Sequence, residues 1–288
     1  MIAPLPKKYI DLHSHSTHSD GSLTPQELVS AAAERNVSIL ALTDHDTVSG
    51  IGEAMDAGLH KGVEVLPSIE LSVRRDPGTM HLLGYFVDHE SEDFLERLAG
   101  VQKIRAERNL LILENLNKLG ISLTFEEVAE EADGGQIGRP HFARALIKKG
   151  TVKSFDEAFR KFLADGAPAY VRRDSLEPAE GIRLIHDAGG LAVLAHPRSL
   201  AVKMEEGFET VLAGLADAGL DGIEVYCSSQ GSKESEFYKS MALKYDLFST
   251  GGSDFHGAGK AMAELGILGV HGRMNDSIVE EMRSYLGR

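Results

Sequence analysis

Six histidines and three carboxylates in this sequence lie at or near the ends of short apolar segments, as metal ligands often do. These residues are His13, His15, Asp20, His45, Glu70, His81, His196, Asp254 and His256. In a strand, side chains two positions apart project on the same face, so the imidazoles of His13 and His15 can bind one ion. Burying this many imidazoles and carboxylates together without a cation would be costly. The set therefore predicts a metal site.

The remaining histidines are interpreted differently. His60, His89, His186 and His271 each stand alone, and a lone histidine is more often a surface or capping residue than a ligand. His18 lies beside the cluster, but it too is expected not to bind metal.

The elements that would position the ligands alternate between strand and helix. Strands are expected at Tyr9–His13, Ser38–Thr43, Glu64–Val73, Thr79–Asp88, Leu191–Ala195, Gly222–Cys227 and Phe248–Gly251. The first helix has a clear start, since Thr24 is a typical N-cap, Pro25 suits the first turn and Glu27 completes a capping box. This alternation predicts an α/β fold with a mostly parallel sheet or barrel. Such folds place their sites at the carboxyl ends of the strands, where most of the candidate ligands fall.

The alternation stops near Ser91. Asp93–Gly120 carries apolar residues at helical spacing along a highly charged segment. Shorter helices are expected at Thr124–Ala132, Pro140–Lys149 and Ser154–Leu163, and a turn is expected around Asp76-Pro77-Gly78 between the third and fourth strands. We therefore divide the chain into an α/β unit, residues 1–92 and 172–288, and an all-helical insertion, residues 93–171. Arg105 and Arg108 of the long helix could face the cleft, but a solvent-exposed face is the preferred expectation.

Charge and composition exclude several classes of protein. The chain has 30 Lys and Arg against 44 Asp and Glu, a net charge of −14, and it shows no basic stripe of the kind that binds duplex DNA. A small anionic substrate is compatible with this charge if bound cations neutralise it. With 42% apolar residues the chain can fill a core, which excludes disorder at the scale of the chain.

Targeting signals are also missing from the sequence. No apolar run approaches the roughly 18 residues of a membrane span, and the N-terminal residues do not resemble a signal peptide. The single cysteine, Cys227, is compatible with a reducing compartment. We expect a soluble, cytoplasmic protein; its oligomeric state stays open.

The ordered set of candidate ligands resembles the PHP (polymerase and histidinol phosphatase) superfamily. The segments DLHSHSTHSDGSLTP, ALTDHD, AHP and GSDFH are similar to its four signature motifs. In the insertion, IGRPHFARALIKKG and FRKFLADGAPAYV are similar to one branch of that superfamily. This branch contains stand-alone bacterial phosphoesterases that act on nucleoside 3′,5′-bisphosphates and as 5′–3′ exoribonucleases on short RNA. All nine ligand positions are filled, which argues against a degenerate member.

The resemblance implies a distorted (β/α)7 barrel with a trinuclear metal site. The first ion would take His13, His15, Glu70 and Asp254, the second Glu70 with His81 and His196, and the third Asp20, His45 and His256. Nitrogen and carboxylate ligands without thiolate suit manganese, iron or zinc. Two to three divalent ions are expected, with manganese preferred and iron or zinc as alternatives. Occupancy of the third position stays open, because Asp20 is a carboxylate where some relatives have histidine.

The implied reaction is hydrolysis of nucleotide phosphate esters. A nucleoside 3′,5′-bisphosphate would give the nucleoside 5′-phosphate and phosphate, and short RNA would be shortened from its 5′ end. Two neighbouring cations would bind the phosphoryl oxygens and lower the pKa of a shared water, so that a bridging hydroxide attacks phosphorus. No side chain is the expected nucleophile, because no histidine–acid relay would activate Ser14, Ser16 or Ser19.

Three residues are candidates for substrate binding. Arg139 and His141 flank Pro140 at an expected helix start, which is a natural anion site, and Arg198 follows His196-Pro197. The insertion would then act as a lid. The alternative for Arg139 is an exposed helix start with an incidental cation.

Other functions stay open at this point. One is a phosphatase for another small metabolite, such as histidinol phosphate, although a lid of this size favours a larger substrate. A second is an amidohydrolase, which would need a lysine at a strand end, and no predicted strand ends in one. A third is a non-catalytic, metal-stabilised module of the kind found inside large polymerases.

Overall fold

Seven strands form one mixed sheet in the computed structural model, which describes residues 9–75, 78–172, 174–257 and 263–287. The strands are β1 Tyr9–Ser14, β2 Val37–Leu42, β3 Glu64–Val73, β4 Met80–Tyr85, β5 Leu191–Leu194, β6 Gly222–Cys227 and β7 Phe248–Gly252. They lie side by side in sequence order. Only β4, among these strands, runs antiparallel to its neighbours. Every strand expected from the sequence is present, with small differences at the ends.

The sheet curves until its first and last strands meet. The backbone N–H of Asp254 donates to the carbonyl of His13 over 2.9 Å, and that of His15 donates to the carbonyl of Phe255 over 2.9 Å. The buried carboxylate of Asp11, on β1, accepts a further backbone N–H from the segment after β7 at 2.8 Å. These contacts make a nearly closed barrel, which confirms the expected distorted seven-stranded α/β barrel.

Six helices pack around the barrel strands. They are α1 Pro25–Glu34, α2 Ile51–Lys61, α7 Pro178–Asp187, α8 Glu209–Asp217, α9 Ser232–Lys244 and α10 Ser277–Leu286. Helix α1 starts as predicted: Thr24 Oγ1 accepts the N–H of Glu27 at 3.2 Å, and the Glu27 carboxylate accepts the N–H of Thr24 at 2.9 Å. Alternate residues of β2 enter two apolar clusters, one with α1 and α2 and one with α10. This period of two is typical of a strand that is covered on both faces.

A helical segment separates β4 from β5. It contains α3 Glu92–Lys118, α4 Phe125–Glu130, α5 Arg139–Lys148 and α6 Phe155–Ala158, which continues as a wider turn over Phe159–Leu163. The first half of α3 packs on the barrel through Phe94 and Leu98. Its second half joins an apolar cluster built from Ile112 to Val171. Because α3 takes part in both cores, the division of the chain at residues 92 and 172 stays a prediction.

Two expectations about this part of the chain are wrong. Arg105 and Arg108 do not face solvent, since they are only 6% and 5% exposed. Arg105 forms an ion pair with Asp46, and the Nε of Arg108 donates to the carbonyl of Val171 over 2.8 Å. A charged helix pattern cannot show which face other parts of the chain cover. Here Arg105 is covered by the barrel side, at Asp46, and Arg108 contacts Val171 of the helical segment itself.

The fourth strand is also shorter than predicted. It ends at Tyr85 because Phe86 has a positive φ of 61°, which an extended strand does not allow. The turn expected around Asp76-Pro77-Gly78 falls mostly on residues 76 and 77, outside the described residues. Within the described ranges, no helix has both the length and the apolar character needed to cross a membrane.

The barrel seam provides a test of the fold. A Cβ at Gly252 would lie 2.5 Å from the backbone N and 2.8 Å from the Cα of His13, where no side chain can move aside. Gly252→Ala should therefore lower the free energy of unfolding by about 1–3 kcal/mol or more, measured by urea denaturation.

Gly214→Ala is the matched control. Gly214 lies inside α8 and a Cβ there would meet no atom within 4 Å, so alanine should stabilise the protein by about 0.5–1 kcal/mol. Equal stability of the two variants would show that β1 and β7 are not packed as closely as these distances indicate.

Candidate metal centre

All nine predicted ligands meet at one end of the barrel. His13 and His15 lie at the end of β1, His45 follows β2, His196 follows β5, and Asp254 follows β7. His81 is instead near the start of β4, because β4 runs antiparallel and begins where its neighbours end. Seven of the nine side chains line a cleft of about 260 Å³: Asp20, His45, Glu70, His81, His196, Asp254 and His256.

Glu70 is at the centre of the group. Its Oε1 lies 2.8 Å from Nδ1 of His81 and 2.8 Å from Nε2 of His196, and these two nitrogens are 3.4 Å apart. Its Oε2 lies 3.1–3.3 Å from ring nitrogens of three further residues, His13, His15 and His45. One fully buried carboxylate thus contacts five imidazoles.

The other two carboxylates lie on either side of this centre. Asp254 Oδ1 is 3.6 Å from His13 Nε2, 3.5 Å from His15 Nε2 and 3.4 Å from His256 Nδ1. Asp20 is 3.3 Å from the other nitrogen of His256. His256 therefore lies between the two aspartates. The structure brings together every residue that the sequence motifs single out as a ligand.

The donor atoms fit divalent cations. Within the ligand cluster, four buried atoms have no hydrogen-bond partner among the residues that the structure describes: His13 Nε2, His15 Nε2, His45 Nδ1 and Glu70 Oε2. The three ring nitrogens surround this carboxylate oxygen at 3.1–3.3 Å. Two ligand atoms that are each about 2.1 Å from one ion lie about 3.0–3.4 Å apart. The 3.1–3.3 Å spacings around Glu70 Oε2 match this separation.

Several triplets of donors lie close enough to share an ion. One contains His13, His15 and Asp254, and another contains Glu70, His45 and His81. Asp20, His45 and His256 form a third group together with His15. His45 is thus within reach of two positions, so the division of the nine ligands among three ions stays a prediction.

The carboxylates control the protonation of the rings. Burial alone would lower the pKa of His15, but the neighbouring carboxylates of Asp254 and Glu70 outweigh it and raise this pKa to about 9. Burial would also lower the pKa of His13, but nearby carboxylate charges, that of Glu224 foremost, raise it well above its ordinary value. Burial dominates at His45, whose pKa falls well below its ordinary value.

The acids respond to the rings in the opposite direction. Burial would raise the pKa of Glu70, yet the charges of His45, His81 and His13 hold it well below the ordinary value. The pKa of Asp20 is lowered in the same way, chiefly by His256 and His45 acting against burial. Glu70 and Asp20 are therefore ionised at neutral pH and available to a cation.

Sequence reasoning missed several residues around the ligands. The carboxylate of Asp44 accepts hydrogen bonds from the hydroxyls of Ser16 at 2.6 Å and Ser19 at 2.5 Å, and these bonds order the loop after β1. Glu224, on β6, is fully buried and lies 2.9 Å from His13 Nδ1. A lone carboxylate inside the apolar strand GIEVYC is a signal that could have identified it.

The helical segment supplies part of the cleft wall. Pro140, Arg144 and Phe155 line the cleft opposite the barrel ligands. Arg144 Nη2 donates to the backbone carbonyl of Asp20 over 2.7 Å. No local sequence pattern distinguishes Arg144, although it is on the same helix as Arg139.

The three predicted substrate residues have different surroundings. Arg139 lines a neighbouring cavity of about 280 Å³, beside the metal cleft. His141 is buried, and its Nδ1 accepts the N–H of Gly138 over 2.9 Å at the start of α5; burial lowers its pKa to about 4. Arg198 is mostly exposed and donates to the carbonyl of Ser229 over 2.9 Å. His18, expected not to be a ligand, contacts Ser49 instead.

Known proteins share both the sequence and the fold. The PHP domain family matches residues 11–240. The chain is 34% identical over 258 residues to a 3′,5′-nucleoside bisphosphate phosphatase of Chromobacterium violaceum, an alignment that covers 89% of this chain and 90% of that protein. It is 36% identical over 250 residues to a 5′–3′ exoribonuclease of Escherichia coli, with 85% and 84% covered.

A solved structure agrees with these relatives. A protein of Bifidobacterium adolescentis, assigned as a metal-dependent phosphoesterase, superposes with a TM-score of 0.86 at 28% identity, over 99% of this chain and 100% of that one. The family match spans most of the chain, and the barrel carries at one end the ligand cluster that the motifs predict. The chain belongs to the PHP domain family.

Proposed function

We propose that this protein is a metal-dependent phosphoesterase that hydrolyses nucleoside 3′,5′-bisphosphates to nucleoside 5′-phosphates and phosphate. The observation that carries the proposal is the cluster around Glu70, in which four buried donor atoms point at one another without hydrogen-bond partners in the described chain. The names of two relatives support the substrate class. Release of nucleotides from the 5′ end of short RNA is proposed as a second activity of the same site.

The ligands proposed are the nine residues at the barrel end, holding two to three ions. We prefer manganese, with iron or zinc as alternatives, because the donors are nitrogen and carboxylate oxygen. Cys227 does not compete as a ligand, since burial and the charges of Glu224 and Asp254 raise its pKa to about 12 and keep it a thiol. Its free thiol fits the proposed cytoplasmic location.

The protein itself positions the reactants. Bound divalent cations would neutralise the phosphoryl oxygens and lower the pKa of an attacking water. Glu70 would connect two cation positions, because its two oxygens face different sets of imidazoles. The hydroxyl of Ser14 donates to the carbonyl of Ala41 over 2.8 Å, and those of Ser16 and Ser19 donate to Asp44. These serines order the loop, which leaves water as the nucleophile.

We propose that the helical insertion, residues 93–171, acts as a lid over the cleft. Three contacts support this role. Arg144 donates to the carbonyl of Asp20, Arg105 pairs with Asp46, and the N–H of Gln136 donates to the carbonyl of His18 over 2.9 Å. A lid held in this position would limit access of bulk water to the cleft and add the positive charge of Arg144 to its wall.

The cavity beside the cleft suits a second phosphate. Its wall includes three guanidinium groups, two aromatic rings and one carboxylate, from Arg75, Arg108, Arg139, Phe159, Tyr170 and Asp165. The Nε of Arg75 is buried with no hydrogen-bond partner in the described part of the chain. Arg139 lies 5.7 Å from the ring of Phe159 and 5.9 Å from that of Tyr170. Because Arg139 and Pro140 are consecutive and line the two cavities, a substrate with two phosphates could occupy both.

The other two candidates have supporting roles in this proposal. His141 orders the start of α5 by accepting the N–H of Gly138, and so positions Arg139. Arg198 lies outside the residues that line the cleft in this structure, and its exposed side chain would reach only a longer substrate such as an RNA end.

A substrate panel on manganese-loaded protein tests the function. Adenosine 3′,5′-bisphosphate should release phosphate and AMP with a kcat/KM at least about tenfold above those of AMP and histidinol phosphate, since only the bisphosphate can reach both cavities. A 5′-phosphorylated RNA trinucleotide should release mononucleotide. Removal of metal with EDTA should abolish these reactions, and manganese should restore them. A clear preference for histidinol phosphate would contradict the proposed substrate class.

Arg139 provides a test of the second cavity. A charge-assisted contact to phosphate contributes roughly 1.5–3 kcal/mol, so Arg139→Ala should lower kcat/KM for adenosine 3′,5′-bisphosphate by about ten- to a hundredfold. Hydrolysis of p-nitrophenyl phosphate, which reaches only the metal cleft, should barely change.

Arg160→Ala is the matched control, because Arg160 is an exposed arginine of the same helical segment. It should leave both reactions unchanged. An equal loss on both substrates in Arg139→Ala would show that Arg139 supports the metal site or the fold instead.

Metal binding should release protons. With a pKa of about 9, His15 is protonated at pH 7 in the metal-free protein, whereas a ligand must be neutral. Manganese titrated calorimetrically in buffers of different ionisation enthalpy should therefore displace at least about one proton per protein. The apparent affinity should rise with pH until about pH 9. A binding heat that is independent of the buffer would contradict this protonation state.

A further inference from the structure

Glu224 is a fully buried carboxylate beside the metal centre. Its strand, β6, contributes none of the nine predicted ligands. Its Oε1 lies 2.9 Å from Nδ1 of His13, and its Oε2 accepts the backbone N–H of His196 over 2.7 Å. One side chain therefore contacts two predicted ligands that come from different strands.

The contact with His13 determines which ring nitrogen faces the metal centre. An ionised carboxylate can only accept hydrogen bonds, so the proton of a neutral His13 ring lies on Nδ1. The lone pair of Nε2 is then directed at Glu70 Oε2, 3.3 Å away, and Asp254 Oδ1, 3.6 Å away. This is the atom that lacks a hydrogen-bond partner among the described residues.

The contact with His196 acts on the backbone. His196 has φ 24° and ψ 70°, a conformation that is costly for a residue with a side chain. The hydrogen bond to Glu224 fixes its N–H in this conformation, and the ring then extends to Glu70 Oε1 at 2.8 Å. The rings of His13 and His196 are stacked with centroids 5.6 Å apart, so a shift of either one disturbs the other.

We propose that Glu224 is a positioning residue that sets the ring tautomer of His13 and the backbone of His196, and thereby the metal affinity of two adjacent cation positions. This inference rests on the proposed metal-dependent function. Carboxylates that orient a ligating imidazole typically change metal affinity by about 10–100-fold.

Replacement by glutamine shows why a carboxylate is required. An amide offers one acceptor and one donor, whereas His13 Nδ1–H and His196 N–H both need acceptors. If the amide oxygen accepts from His196, the amide NH₂ must donate to His13 Nδ1, and the ring proton moves to Nε2, where it blocks the metal. If the oxygen accepts from His13, two N–H groups oppose each other at His196.

A matched control lies just before the same strand. Asp221, just before β6, is also a largely buried carboxylate that contacts one histidine ring and one backbone N–H. Its Oδ2 lies 2.8 Å from His186 Nε2 and accepts the N–H of Ala192 over 2.8 Å. Asp221→Asn therefore makes the same chemical change away from the ligands.

Manganese binding to wild type, Glu224→Gln and Asp221→Asn is measured by equilibrium dialysis with elemental analysis, and folding by circular dichroism. Glu224→Gln should bind manganese about 10–100-fold more weakly while staying folded, and Asp221→Asn should match wild type. In zinc-saturated protein, nitrogen NMR should show the Nδ1–H signal of His13 in wild type and its loss or marked shift in Glu224→Gln.

Other results would overturn the proposal. Wild-type affinity in Glu224→Gln, or an equal loss in both variants together with a lower melting temperature, would show that Glu224 has no specific role at the metal. If Glu224→Gln does not fold, Glu224→Asp decides, since its shorter carboxylate should weaken manganese binding yet keep the Nδ1–H signal. Absence of manganese binding in wild type would instead overturn the proposed function itself, and this inference with it.

Discussion

The structure depends on one buried carboxylate. Glu70 is surrounded by five imidazoles, and its backbone is held as firmly as its side chain: its carbonyl accepts the N–H of Asp46 at 3.0 Å, and its N–H donates to the carbonyl of Asp44 at 3.3 Å. A charge in this environment is stable only if the surrounding rings or a cation balance it. The loop that carries His45, which comes after β2, therefore runs beside β3, and the ends of the other strands converge on the same point.

The antiparallel strand is a consequence of this arrangement. Because β4 reverses direction, His81 enters the cluster from the beginning of its strand, and the chain leaves the barrel at the opposite end. Helix α3 then returns along the barrel, where Arg105 pairs with Asp46 beside the ligand His45. The helical segment and the loop of His45 are thus connected by a buried ion pair, so a displacement of the proposed lid would be transmitted to a proposed metal ligand.

Much of the barrel and the ligand cluster could be predicted from the sequence, because both leave local patterns. Apolar runs mark the strands, and His13-x-His15 or Asp254-x-His256 follow such runs directly. Arg144 and Arg105 have no such pattern, since their roles depend on contacts with residues far away in the chain. Glu224 is marked only as a lone carboxylate in an apolar strand, and that mark does not show which residues it contacts. Helical periodicity predicts solvent for the two buried arginines of α3, because it shows that a face is charged but not whether other residues cover it.

Net charge raises a physical problem that the two cavities resolve together. A chain with a charge of −14 repels an anionic nucleotide at long range, so affinity must come from positive charge concentrated at short range. The metal cleft would provide it through bound cations, and the adjoining cavity provides it through Arg75, Arg108 and Arg139. An ester with one phosphate can use only one of these cavities at a time. The proposed selectivity for two phosphates would follow from the separation of the two positive regions, and the protein surface would not need to be basic.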